Sequence, residues 1–243
     1  MSPEAWGLFL ACALGAEVVG TMAGFGAATI LTPVAALFLD MKTAITMVAG
    51  FHLFGNASRL WFFGRAVDWR MWVQFGLTGI LFSFLGAGVT TRLTSSTVER
   101  LFGAFLLVYV GSAFLLPERT RLPKRPVTLI VGGVVSGFIA GLLGTGGAAR
   151  SVCLMAFGLP QEVYIGTSAA IALVVDATRL PVYLAGGLIP RDLAPVLASL
   201  VVVAFVGSWI GQRLVRRIPT LVFRRFVLVM LAMMGINLLW RSG

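Results

Sequence analysis

Along the chain, apolar residues fall into ten blocks, near 5–23, 28–39, 43–63, 71–91, 98–116, 127–143, 148–159, 163–185, 192–212 and 220–240. Charged residues or Pro/Gly breaks separate them, and block length predicts helices throughout. A helix needs roughly 20 apolar residues to cross a hydrocarbon core of about 30 Å. The stretches Met71 to Thr91, Leu101 to Pro117, Val127 to Ala149 and Leu193 to Gln212 contain no charge. The second and seventh blocks are too short to span unaided. Each follows a glycine break, Gly24-Phe25-Gly26 in one case and Gly144-Thr145-Gly146-Gly147 in the other. At membrane depth, non-helical backbone is tolerated only where protein buries it or where it lines a wet cavity.

Shifting the chain against itself places Gly24 on Gly144 and Gly26 on Gly146. At the same offset Asn56-Ala57-Ser58-Arg59-Leu60 falls on Asp176-Ala177-Thr178-Arg179-Leu180. Two matches at one offset predict a duplication. The first membrane repeat is residues 1–116, a basic cytoplasmic linker is 117–126, and the second repeat is 127–243. Together they form one transmembrane domain.

Charge then sets the orientation. The linker carries Arg119, Arg121, Lys124 and Arg125, and the stretch from Arg213 to Arg225 holds five arginines, so both are expected to be cytoplasmic. Both can lie on one side only if 127–159 returns to the side it left, as a hairpin or re-entrant loop. The same count puts the N-terminus outside and the connector with Arg65 and Arg70 inside. The halves are therefore expected to be inverted, an arrangement that brings substrate to broken helices near the midplane. The fold class expected is an all-α integral membrane protein, a polytopic helical bundle of two inverted-topology repeats, each with a glycine-broken or re-entrant helical hairpin.

Composition agrees. The chain is 58% hydrophobic and 12% charged, with a mean hydropathy of +0.96, and a soluble domain carries about twice that charge. The net charge of +10 is spread over short connectors rather than one patch, which argues for membrane orientation and against nucleic acid. Cys12 and Cys153 lie inside apolar blocks without a CxxC partner, and the single histidine excludes a multi-histidine metal site. No metal and no cofactor are expected. The N-terminus lacks the cationic stretch of a cleaved signal peptide, so the first helix is expected to remain.

Glycine breaks before short helices leave backbone N–H groups and a positive helix end facing the interior, where an anion binds. This marks Gly24, Phe25, Gly26, Gly144, Thr145, Gly146 and Gly147 as substrate-binding candidates. Gly133, Gly137 and Gly141 read instead as a small-xxx-small packing stripe. A charge in the bilayer centre costs roughly 2.5–3.5 kcal/mol, so Arg59, Arg150 and Arg179 need a reason. Arg59 either snorkels or serves the site; Arg179 either serves it or pairs with Asp176 one turn earlier. Arg150 either faces an anion or pairs with Glu17. Asn56 and Ser168 add hydrogen-bonding groups, with Thr167 and Ser151 nearby. Glu17, His52 and Asp176 are the proton-coupling candidates, His52 having the most suitable intrinsic pKa.

The runs Gly24-Phe25-Gly26-Ala27-Ala28-Thr29-Ile30-Leu31-Thr32-Pro33 and Gly141-Leu142-Leu143-Gly144-Thr145-Gly146-Gly147, with Gly166-Thr167-Ser168 beyond, resemble the sulfite exporter TauE/SafE family over essentially the whole chain. Gly26-Ala27-Ala28 stands where that family typically has a glycine triplet. The resemblance implies a transporter of sulfite, a sulfonate or another small organic anion. The expected function is a secondary transporter, an exporter, working by alternating access with substrate at the glycine breaks. The alternatives are a passive anion channel or an intramembrane enzyme; the latter has no HExxH or Gly-x-Ser-x-Gly support, and no catalytic residue is expected. Expected partners are the small anion, a coupling proton or sodium ion and the lipid bilayer; a homodimer stays open. The expected location is the bacterial inner membrane, multi-pass.

Overall fold

The computed structural model describes residues 3–23, 27–115, 122–189, 193–214 and 220–242. Its regular elements are all helical: α1 (Pro3–Ala23), α2 (Ala28–Ala35), α3 (Met41–Phe63), α4 (Trp69–Arg92), α5 (Ser95–Leu115), α6 (Pro126–Leu143), α7 (Gly147–Met155), α8 (Gln161–Ala185), α9 (Ala194–Leu214) and α10 (Thr220–Ser242). A 3-10 turn, Gly64–Ala66, follows α3.

Local chemistry sets several boundaries. The Asp40 carboxylate accepts from the N–H groups of Lys42 and Thr43 at 3.1 and 3.2 Å and starts α3. Asp68 accepts from the Met71 N–H at 3.0 Å and starts α4. Pro126 sits in the first turn of α6, where a missing N–H costs nothing. Gly144 ends that helix in the left-handed region at φ +75°, donating its N–H to Ala140 O at 2.9 Å. A side chain there would be strained and would also strike Ile45.

Among the described residues, five helical segments are long and apolar enough to cross a membrane: Glu4–Met22, Trp69–Arg92, Pro126–Leu143, Gln161–Ala185 and Val196–Leu214. With eight and nine residues, α2 and α7 reach only about 12 and 14 Å, well short of a hydrocarbon core. The surface has the matching character. Leu77, Leu81 and Phe84 on α4, Phe205 on α9 and Ile236 on α10 are exposed, while the charges of Glu17, Arg59, Arg150, Asp176 and Arg179 are buried. A water-soluble bundle shows the reverse distribution. This is a multi-pass membrane protein.

Helix directions follow from which residues meet. After Gly144 the chain doubles back along α6: Gly146 lies against Ser136 and Ala140, and Cys153 against Gly132. The two helices thus form an antiparallel hairpin, and Gly158 beyond it comes beside Lys124, just before the start of α6. The segment from α6 through α7 therefore returns to its starting side. From there α8 runs parallel to α6, bringing Arg179 and Tyr183 to the carbonyl of Ala140.

Along its whole length α8 is antiparallel to α3. The Thr43 hydroxyl meets Leu188 O, Asn56 meets Asp176, and Gly166 packs on the Phe63 carbonyl. Near the other edge α5 and α10 are antiparallel too, with Gly103 beside Leu239 and Leu107 beside Gly235. Two seams are parallel. On α6, Gly133, Gly137 and Gly141 lie against Phe75, Gly79 and Ser83 of α4, so close that a Cβ at any of the three would strike α4 backbone. The small-residue stripe thus packs two helices. Across the bundle, Gly207 and Gly211 of α9 rest in the same way on Glu17 and Thr21 of α1.

Candidate functional site

On α3, His52, Asn56 and Arg59 recur at helical spacing and share one face; on α8, Asp176, Arg179 and Tyr183 do the same. Because α3 and α8 cross antiparallel, the two polar stripes meet inside the bundle. All six side chains are buried.

Arg59 is 2% exposed, so it does not snorkel. Its guanidinium uses three nitrogens: NH2 donates to Glu17 Oε1 at 2.5 Å, Nε to Thr21 Oγ1 at 3.0 Å, and NH1 to Asn56 Oδ1 at 2.8 Å. Glu17 Oε1 also accepts from Ser208 of α9 at 2.6 Å. Gly55 makes room for that carboxylate, since a Cβ there would stand 2.7 Å from Oε1. The sequence alternative that paired Glu17 with Arg150 is replaced by this Glu17–Arg59 ion pair.

The arrangement in the second half differs. Asp176 Oδ1 accepts from Nε and NH2 of Arg179 at 2.9 and 2.8 Å, the pairing one turn apart that the sequence offered. Arg179 NH1 donates to Ala140 O at 2.8 Å, and the Tyr183 hydroxyl donates to Gly141 O. The other carboxylate oxygen, Asp176 Oδ2, lies 2.8 Å from His52 Nδ1 and accepts from Asn56 Nδ2 at 2.9 Å. Asn56 thereby joins the two ion pairs, with Oδ1 committed to Arg59 and Nδ2 to Asp176.

Arg150 stands apart. It is 3% exposed on the first turn of α7, and its Nε donates to Ser168 Oγ of α8 at 2.9 Å. Among the described residues no carboxylate lies within ion-pair distance of it. Its electrostatic neighbours include Asp176, Arg59 and Arg179, so it belongs to the same interior. Among the described residues, three buried guanidinium groups against two buried carboxylates leave one positive charge in excess, with His52 neutral.

The second glycine break is a tight joint. Gly146 O accepts from Ser136 Oγ at 2.8 Å, Gly147 opens α7, and Thr145 shares a 2.7 Å hydrogen bond with Thr29 of α2. Gly24, Phe25 and Gly26 lie outside the described residues. Thr167 accepts from the Asp68 N–H at 2.9 Å and Ser151 donates back to Ala148 O, so both hydroxyls are occupied by backbone. Thr21, Ser208 and Tyr183 join the network without having been singled out from sequence. Only Tyr183 carried a signal, one turn beyond Arg179 on the same face. No group of three metal-ligating side chains gathers among the described residues.

The family model for the sulfite exporter TauE/SafE family matches residues 8–238. The chain belongs to that family. A curated relative from Methanocaldococcus jannaschii, described as "Probable membrane transporter protein", is 24% identical over 153 residues. That match covers 57% of this chain and 57% of the relative, so the chain spans a little over half of the curated relative's length. No solved structure matches. In this TauE/SafE member the resemblance seen in the glycine-break motifs therefore extends over nearly the whole chain.

Proposed function

We propose that this chain is a secondary transporter, an exporter, of a small anion such as sulfite or a sulfonate. It works by alternating access in a bacterial inner membrane. The observation that carries the reading is the unbalanced charge: Arg150 is a buried guanidinium held by a serine hydroxyl, and among the described residues the interior is one positive charge in excess. A buried charge without a partner is costly, and a singly charged anion at Arg150 would remove the imbalance. The reading is of a carrier, not an enzyme.

Alternating access is supported by helix direction. The sequence repeat pairs α3 with α8 and α5 with α10, and both pairs run antiparallel. It also pairs the α4–α6 seam with the α9–α1 seam, and both are parallel. A pair of inverted halves produces this pattern. Arg150, Ser168, Thr145 and the start of α7 would then form the anion half-site of the second repeat, with Arg59 and Arg179 lending charge through their paired network.

Efflux from proteoliposomes loaded with sulfite or methanesulfonate tests the proposal. Arg150→Ala should weaken apparent anion affinity about 10- to 100-fold, the loss expected for hydrogen bonds to a charged group. Arg150→Lys should lose less. Wild-type rates and affinity in Arg150→Ala, for every anion the parent protein carries, would sink the assignment.

A further inference from the structure

The buried network uses one ring nitrogen of His52 and leaves the other empty. Nδ1 faces Asp176 Oδ2 at 2.8 Å and Asn56 Nδ2 at 3.0 Å. The Asn56 orientation is fixed by Arg59, which takes its Oδ1, so Asn56 presents a donor and the carboxylate is the acceptor left for the imidazole. Nδ1 therefore carries a hydrogen and gives it to Asp176. In the neutral ring Nε2 is then a bare lone pair. It is buried without a hydrogen-bond partner, on a side chain only 4% exposed. An unpartnered lone pair in a native interior calls for an explanation.

We propose that His52 takes up one proton at Nε2 when the site loads a doubly charged anion and stays neutral when it loads a singly charged one. The inference rests on the anion-transport reading. The proton is given up by the buffered solvent, whose acid form becomes its conjugate base, and binds the Nε2 lone pair; Nδ1–H stays hydrogen-bonded to Asp176, and no other bond changes. With neutral His52 the buried excess is one positive charge, which a monoanion balances. With His52 as imidazolium the excess is two, which a dianion balances. Protonation also turns Nε2 from an acceptor into a donor, the type of group an anion oxygen needs.

Asp176 on α8 lies 2.8 Å from Nδ1, and the nearest cations are Arg179 on the same helix, bonded to Asp176, and Arg59 on α3, bonded to Asn56. Each of those arginines already has its own carboxylate, Asp176 and Glu17 respectively. Of the other elements packed on α3, α2 carries no charged residue. The charges on α5 are Glu99 and Arg100 in its second turn, α9 carries Arg213 in its last turn, and Arg65 lies in the 3-10 turn. A bound dianion is thus the added negative charge that tips the balance.

The chain has a single histidine, which makes its ring directly readable in the wild-type protein carrying a tag without histidine. Histidine labelled with 15N would be followed by NMR in detergent at mildly alkaline pH, with sulfate as the dianion and methanesulfonate as the monoanion. Calorimetry in two buffers of different ionisation enthalpy would count protons. The expected result is an imidazolium signature and uptake of about one proton with sulfate, and neither with methanesulfonate. A ring that stays neutral with sulfate bound, or that charges equally with methanesulfonate bound, overturns the inference and leaves anion transport standing. If neither anion binds and liposomes carry neither, the transport reading falls and takes this one with it.

Discussion

Replacing Glu17 by Gln removes the carboxylate from Arg59 while keeping the side chain's volume. In the folded protein Glu17 is fully buried and Oε1 accepts from Arg59, Thr21 and Ser208 at 2.5, 3.3 and 2.6 Å. The amide oxygen of Gln preserves some of these contacts, but the Arg59 charge loses its counter-charge and the interior excess rises from one to two. Breaking a buried ion pair from one side costs about 3–5 kcal/mol, because the abandoned charge stays desolvated. Arg59→Gln should cost a similar amount by stranding Glu17. The double variant leaves two neutral amides within hydrogen-bonding reach and strands neither charge, so it should be more stable than the two single losses predict. A coupling energy of about 2–3 kcal/mol is expected. Thermal or denaturant unfolding in detergent, followed by tryptophan fluorescence, measures all corners of the cycle. Single losses that add within about 0.5 kcal/mol would refute the claim that these two side chains compensate one another.

Asp176→Asn should also cost about 3–5 kcal/mol, since it leaves Arg179 without its carboxylate; the unfolding midpoint reports it, and an unchanged midpoint would contradict the pairing. Gly137→Ala should destabilise by about 1–3 kcal/mol through overpacking of the α4–α6 seam, whereas Gly111→Ala, with open space at its Cβ, should change stability by less than about 0.5 kcal/mol in the same assay. Thr29→Val should lower stability by about 1 kcal/mol, the usual worth of one hydrogen bond, and a second change at Thr145 should cost less than the first because its partner is already gone.

Helix positions were legible in the sequence because apolar blocks and their punctuation are local. The blocks 43–63 and 127–143 became Met41–Phe63 and Pro126–Leu143. The short blocks ran too long on paper. The second, placed at 28–39, ends as a helix at Ala35 and continues as turns, with Leu37 and Phe38 donating three residues back. The seventh, placed at 148–159, stops at Met155, and Gly158 closes its turn at φ +66°. Both stay apolar past the helix end, so hydropathy could not mark the stop. For the site, the Asp176–Arg179 pair was visible because its members are one turn apart. The Glu17–Arg59 pair was not, because it depends on α1 lying beside α3 across 42 residues of sequence. Charge alone leaves Arg150 two alternatives, an anion or Glu17. Ser208 was hidden more deeply: a serine in an apolar helix signals nothing until the packing of α1 on α9 brings it to a carboxylate.

The α1–α9 seam has a consequence for biogenesis. Glu17 enters the bilayer with the first helix, before either of its main partners has been synthesised. Arg59 follows 42 residues later, and Ser208 only after 191. A lone carboxylate in a newly inserted helix is expensive, so α1 should remain at the translocon, or sit shallowly, until α3 arrives with its arginine. The seam itself can close only once most of the chain is made. Release of α1 into lipid should therefore be timed by a charge that belongs to the finished network.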